Sequence, residues 1–202
     1  CYWGQRYGIA RPCVCIETQE KYGTLTVDVV STVQCIETCF MKACRLDVVA
    51  FKPGNVSLLS CGHSMTAEDF FASARVAVPS LAHPTSSVGE RVEKAIIATR
   101  EVVDCNTNLG IALLLAPLGK AAVGDEPGDL RARLSSVLAA LNVNDAIRCY
   151  RAIRLASPAG MATVDDQDIS GQPTLGLKEI MLLASERDLI AMQYVTITTI
   201  YN

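Results

Sequence analysis

Residues 88–118 read VGERVEKAIIATREVVDCNTNLGIALLLAPL, and two apolar patterns meet inside this stretch. In its first part Val88, Val92, Ala95, Ile96, Thr99, Val102 and Val103 recur at steps of three and four up to Asp104, the stripe of a helix that buries one face. Asn106-Thr107-Asn108 then interrupts. Beyond it Leu109 to Leu118 is apolar all round, with Gly110 and Pro117 inside, so it belongs to a central helix covered on every face. The longest aliphatic run, Ile111 to Leu118, is far below the roughly 20 residues a membrane-spanning helix needs.

Working outward, the same helical period recurs on both sides. From about Thr24 the residues Val27, Val30, Val33, Ile36, Phe40, Ala43, Leu46 and Val49 mark a long amphipathic helix that stops at Lys52-Pro53-Gly54. Thr66 with Asp69 has the form of a capping box, which predicts a helix from Thr66 to about Ala77, followed by a loop punctuated by Pro79 and Pro84. After a polar, glycine-containing connection at Gly124 to Gly128, Leu130, Leu134, Val137, Leu138 and Leu141 are spaced as another helix. Asn142 or Asn144 caps the next one, Asp145 to Ala156. Two last patterns run from Leu175 to Glu186 and from Asp188 to about Tyr201; the β-branched tail from Val195 to Ile200 suits a strand by propensity but has no partner strands. No fixed-period repeat and no βαβ alternation appears. The expectation is an all-α, single-domain helical bundle of about seven to nine helices over residues 24–202, truncated in mid-helix at Asn202, behind an irregular lead-in at residues 1–23.

Composition narrows the functional classes. Of 202 residues, 50% are hydrophobic and 19% charged, with 18 basic against 21 acidic side chains and a net charge of −3. These values exclude a disordered tail, a coiled coil and a dedicated polyanion binder. The charges are scattered, which indicates neither nucleic acid nor a membrane surface as partner. The nine cysteines, an odd number, suit a reducing, cytoplasmic setting. Cys13/Cys15 and Cys35/Cys39 invite a zinc reading, but the spacing matches no standard knuckle, and free cysteines commonly pack as small hydrophobes.

Three polar interruptions between apolar helices are places for chemistry. In the first, Lys52, Gly54, Asn55 and Ser57 offer a cation and several donors to phosphate oxygens, although the spacing is not that of a Walker A loop; a plain helix-ending turn is the alternative. In the second, Asn106, Thr107, Asn108 and Gly110 stand where a helix N-terminus can be capped or can receive an anion. In the third, Asp165, Asp166 and Asp168, joined by Glu186, Arg187 and Asp188, either form a solvated loop or hold Mg²⁺ for a polyphosphate. His63 and His83 are too few and too isolated for a histidine metal site.

Taken in order, ACRLDVVAFKPGNVS (43–57), GHSMTAEDFFASA (62–74), the 88–118 stretch, LNVNDAIRCYRAIRLASPAG (141–160) and DDQDISGQPTLGLKEIMLLASERDLIAMQY (165–194) resemble the triphosphoribosyl-dephospho-CoA synthases. These make the prosthetic-group precursor of citrate lyase and malonate decarboxylase. The resemblance implies an all-helical enzyme that moves the 5-triphosphoribosyl group of ATP onto the ribose 2′-hydroxyl of dephospho-CoA, or of a related phosphorylated acceptor, and releases adenine. It implies Mg²⁺ on the triphosphate and small-molecule substrates, ATP and dephospho-CoA or a related acceptor, as partners. Position by position, Lys52, Gly54, Asn55 and Ser57 would bind phosphate, Asn106, Thr107, Asn108 and Gly110 would line the nucleotide pocket, and Asp168 and Asp188 would hold the metal or move protons. Such synthases usually carry N-T-H-[KR]-G where this chain has Asn106-Thr107-Asn108-Leu109-Gly110. That form resembles a divergent branch, some members of which are linked to tetrahydromethanopterin-dependent one-carbon metabolism. A nucleotide-binding accessory protein of that metabolism, without glycosyl transfer, is therefore the alternative function.

Overall fold

The computed structural model describes residues 29–50, 56, 65–157 and 167–196. They form eight helices and no strand: α1 (Val29–Val49), α2 (Ala67–Leu81), α3 (Val88–Val102), α4 (Leu109–Val123), α5 (Leu130–Ala139), α6 (Val143–Ala156), α7 (Leu177–Ala184) and α8 (Leu189–Thr196). Most begin where a side chain can accept from the unpaired amides of the first turn. Thr66 and Asp69 close the expected capping box on α2, Ser87 and Glu90 make another on α3, and Asn142 and Asp145 a third on α6. Asp129 caps α5 through the amide of Ala132, 2.8 Å away.

Helix α1 buries Ile36, Phe40, Cys44 and Val48, one residue per turn. Helix α3 packs along α2 on one side and α6 on the other, and α4 touches α1, α2, α3, α5, α6 and α8. No residue from Leu109 to Val123 is exposed, in agreement with the apolar run from Leu109 to Leu118. The α3–α6 crossing is tight because Gly89 has no side chain: a Cβ there would lie 2.7 Å from both Cα and the carbonyl oxygen of Asp145. The same approach lets the buried Asp145 carboxylate accept from the Gly89 amide at 2.8 Å, so one carboxylate serves the N-termini of two helices.

Arg91, wholly buried on α3, donates from Nε to the Ser86 carbonyl at 3.1 Å and from Nη1 to the Leu81 carbonyl, the last of α2. It thus finishes α2 from a neighbouring helix, and Gly119 on α4 leaves the space for it. Desolvation pushes the guanidinium down to about 10, still well above neutrality.

Two prolines lie inside helices. The loop expected from Pro79 is instead the last turn of α2, which continues to Leu81 because Ala77, Val78 and Leu81 are buried while Pro79 faces solvent. Pro117, in the middle of α4, cannot donate to the carbonyl of Leu113 four residues earlier. The Tyr194 hydroxyl from α8 donates to that oxygen at 2.6 Å, so the acceptor left by the proline is satisfied from another element.

Among the described cysteines, Cys39, Cys44, Cys105 and Cys149 are free, whereas Cys35 is disulfide-bonded, so Cys35 and Cys39 do not form a thiolate pair. Burial pushes the Cys44 thiol up to about 11 and the Cys149 thiol still higher, which suits small core hydrophobes and not nucleophiles. The lead-in at residues 1–23 and Cys13/Cys15 within it lie outside the described residues. In the last pattern α8 is helical to Thr196, and residues 197–202 also lie outside.

Candidate functional site

Helices α6, α7 and α8, the turn at residues 167–169 and Leu113 of α4 enclose a cavity of about 230 Å³. Its wall is largely aliphatic, from residues such as Leu113, Ile153, Leu177, Ile180 and Ile190, and its polar groups are Asp168, Arg187, Asp188, Tyr150 and Gln167. Asp168 and Asp188, distant in sequence, thus share one cavity. A pair of carboxylates and a guanidinium on an apolar surface can bind a cation, handle protons or grip an anion.

Each carboxylate is held locally. Asp168 Oδ1 accepts from the Ser170 amide at 2.8 Å and from the Ser170 hydroxyl at 2.5 Å, a side-chain-to-backbone turn of the kind aspartate favours. Asp188 Oδ1 accepts from the amides of Ile190 and Ala191 at 2.7 and 2.9 Å, which fixes it over the first turn of α8.

Helix α6 pins the loop that carries Asp168. The Tyr150 hydroxyl donates to the Gln167 carbonyl at 2.5 Å, and Arg154 Nη1 donates to the carbonyls of Ile169 and Gly171 at 2.7 and 3.2 Å. Gln167 takes a left-handed φ of 52°, uncommon for a residue with a side chain. Its amide compensates with two bonds to Thr174, donating to Oγ1 at 2.9 Å and accepting from the backbone amide at 3.1 Å. Tyr150 and Arg154 escape sequence reasoning. Their only signal is a spacing of four on α6, since the loop they hold is distant in sequence.

The second interruption is built differently. Thr107 donates to the Ser73 hydroxyl of α2 at 2.7 Å, and Asn108 and Thr99 of α3 are bonded at 3.0–3.2 Å; both residues of the turn are buried. Asn106 is half-buried, and its Oδ1 accepts from the Leu109 amide at 3.3 Å, capping α4. Gly110 lies on the side toward the cavity, where an added Cβ would come within 3.0 Å of Ile190, a cavity residue. Of this interruption, then, Gly110 abuts the Asp168/Asp188 cavity, while Thr107 and Asn108 tie the turn to α2 and α3.

Lys52, Gly54, Asn55 and Ser57 lie outside the described residues, as do His63, Asp165 and Asp166; within that first loop only Val56 is described, and it is buried. His83 is 3.1 Å from the Ser86 hydroxyl, away from the cavity. Among the described residues no group of three or more His, Cys, Asp or Glu side chains gathers as a metal cage, and no helix is long and apolar enough to cross a membrane.

The family model described as ATP:dephospho-CoA triphosphoribosyl transferase matches residues 33–197, most of the chain and every element described above from the second turn of α1 onward. No curated protein and no solved structure matches.

Proposed function

Since the chain belongs to the ATP:dephospho-CoA triphosphoribosyl transferase family, we propose that it transfers the 5-triphosphoribosyl group of ATP to the 2′-hydroxyl of dephospho-CoA, or of a related phosphorylated acceptor, and releases adenine. In this reaction the bond from ribose C1′ to the adenine nitrogen breaks and a bond from C1′ to the acceptor oxygen forms. The acceptor hydroxyl loses a proton and the departing base gains one. The sugar passes through an oxocarbenium-like state, as in glycoside transfer.

What supports the reading at the level of residues is that Asp168 and Asp188 line one cavity. Mg²⁺ is commonly held by one or two carboxylates together with substrate phosphates, and this donor set fits that habit without a full protein cage. When bound there, the ion would neutralise triphosphate charge. Asp168 and Asp188 would hold it, or one of them would take the acceptor proton. Arg187 would offset phosphate charge at the same wall. Lys52, Gly54, Asn55 and Ser57 would bind phosphate from the segment after α1. Asn106 and Gly110 would line the nucleotide pocket, with Thr107 and Asn108 setting the position of the turn. The activity so assigned is that of a small-molecule transferase working in the cytoplasm.

The decisive experiment incubates the purified protein with ATP, Mg²⁺ and dephospho-CoA and measures free adenine by chromatography. Adenine release that needs the acceptor is expected. ATP binding without adenine release would instead support the accessory-protein reading, which the Asn108-Leu109 form of the second interruption favours. Lys52→Ala is expected to weaken ATP binding with little change in thermal stability, since a single lysine in a polar interruption contributes little to folding; equal affinity in variant and parent would remove the phosphate assignment from this segment.

A further inference from the structure

A second and larger recess, of about 700 Å³ against about 230 Å³ for the Asp168/Asp188 cavity, runs along α1 beside α2. On α1 its lining residues Glu37, Met41, Arg45 and Val49 follow at steps of four, next to the stripe of Ile36, Phe40, Cys44 and Val48 that enters the core. From Glu37 to Val49 this makes a trough about 18 Å long, roughly three helical turns. Phe71 and Arg75, one turn apart on α2, form its other bank. The apolar surface reaches past the trough: Leu46, which shares a side of α1 with Lys42 and Val49, is 64% exposed, and Val49 is 48% exposed.

Charge and backbone chemistry narrow what can lie there. Lys42, Arg45 and Arg75, all exposed, bring three cations to the trough against the one carboxylate of Glu37, in a chain whose net charge is −3. Among the described residues Lys42 and Arg45 enter no ion pair. Arg75 Nη1 stands 3.8 Å from the exposed Glu68, a pair that solvent screens and a better-placed anion displaces. A second copy of the chain is a poor occupant, because a two-fold contact would press these cations against themselves. The stretches that flank α1 offer no complement either. Residues 51–64 hold Lys52 and no carboxylate, and in residues 1–28 Arg6, Arg11 and Lys21 balance Glu17, Glu20 and Asp28. The backbones of α1 and α2 are bonded within their own helices, and no strand edge is present among the described residues. An occupant must therefore bind through side chains, as an amphipathic helix laid in a groove does.

We propose that the trough between α1 and α2 docks an acidic amphipathic helix of another protein, with its apolar stripe on Met41, Val49 and Phe71 and its carboxylates on Lys42, Arg45 and Arg75. This surface shares no lining residue with the Asp168/Asp188 cavity and does not rest on the transferase reading.

Fluorescence anisotropy of the full chain with two labelled synthetic peptides, each about five helical turns long, tests this. Both place leucine at i, i+3, i+4 and i+7; one fills the other positions with glutamate and alanine, the second with lysine and alanine. The parent is expected to bind the glutamate peptide about tenfold more tightly than the lysine peptide, or better. Arg45→Glu/Arg75→Glu should reverse that preference. Phe71→Ala should weaken the glutamate peptide by about tenfold through loss of the apolar anchor. Circular dichroism verifies that each variant is folded, and the exposed double variant decides the matter should Phe71→Ala unfold. Vesicles of phosphatidylglycerol and phosphatidylcholine are expected to leave the parent in the supernatant on sedimentation. The proposal is overturned if the parent binds neither peptide or both alike, or if the double variant keeps the parent's preference. It is equally overturned if the vesicles sediment the parent, which would make this face a membrane surface. Adenine release tests the transferase separately: its failure beside the expected peptide binding would sink that function and leave this surface standing.

Discussion

Tyr194 and Pro117 show how a single residue can depend on another far along the chain. The proline withholds an amide from the Leu113 carbonyl, and the tyrosine hydroxyl replaces it at 2.6 Å inside the core. Tyr194→Phe is expected to cost about 1–3 kcal/mol, the penalty for a buried carbonyl left unpaired. In a Pro117→Ala background, where the backbone regains an amide proton to donate, the same change should cost distinctly less. Urea denaturation of the four proteins gives this coupling, and additive effects would contradict it. At the cavity, Asp188→Asn keeps a good helix-capping side chain while removing the charge. It should lower adenine release by about 10²–10⁴-fold, the range lost with a proton-transferring or metal-holding group, and leave the melting temperature nearly unchanged. A melting temperature that falls together with the activity would mark Asp188 as a cap and nothing more.

Between elements, the α3–α6 crossing is the contact most sensitive to a small change. Gly89→Ala would press a methyl group into the backbone at Asp145, where no flexible side chain can yield. The expected loss is about 1–3 kcal/mol, read from chemical denaturation, through displacement of α6 and strain on the Asp145 bond to the Gly89 amide. Because α6 also holds the Asp168 loop through Tyr150 and Arg154, the variant should lose activity beyond its loss of stability. Most of these elements were legible in the chain. The stripe in α3, the uniformly apolar α4 and the Thr66/Asp69 box each state a helix through local spacing. Pro79 was misleading because its local rule says loop, whereas burial of Val78 and Leu81 carries α2 one turn past it. The capping residues Ser87 and Asp129 follow the same local chemistry as Thr66.

At the scale of the molecule, two helix caps link stability to pH. The Thr66 amide and hydroxyl hold the Asp69 carboxyl below its ordinary value of 3.8, and the Ser87 amide, with smaller help from Arg148, does the same for Glu90 from 4.5. A carboxyl whose folded pKa is lowered stabilises the fold fully above its unfolded pKa and loses that contribution as pH falls through the folded value. Stability should therefore decline as pH drops below about 4.5. The paired change Asp69→Asn/Glu90→Gln should make the acid limb of the melting-temperature curve shallower; an unaltered limb would place the acid sensitivity elsewhere.

The order of apolar residues along the chain was enough to determine an all-helical body, because the side of a helix that must leave water is recorded in steps of three and four residues. The same order marked Asp168, Asp188 and the 106–110 segment as polar interruptions. Tertiary structure alone decided which of them meet. Asp168 and Asp188 come to one cavity because α6 grips one loop and α8 begins at the other, and Thr107 and Asn108 turn toward α2 and α3 because hydroxyls await them there. Distances between residues far apart in sequence depend on how helices cross, and those crossings are set by close approaches such as Gly89 on Asp145 that no local period encodes.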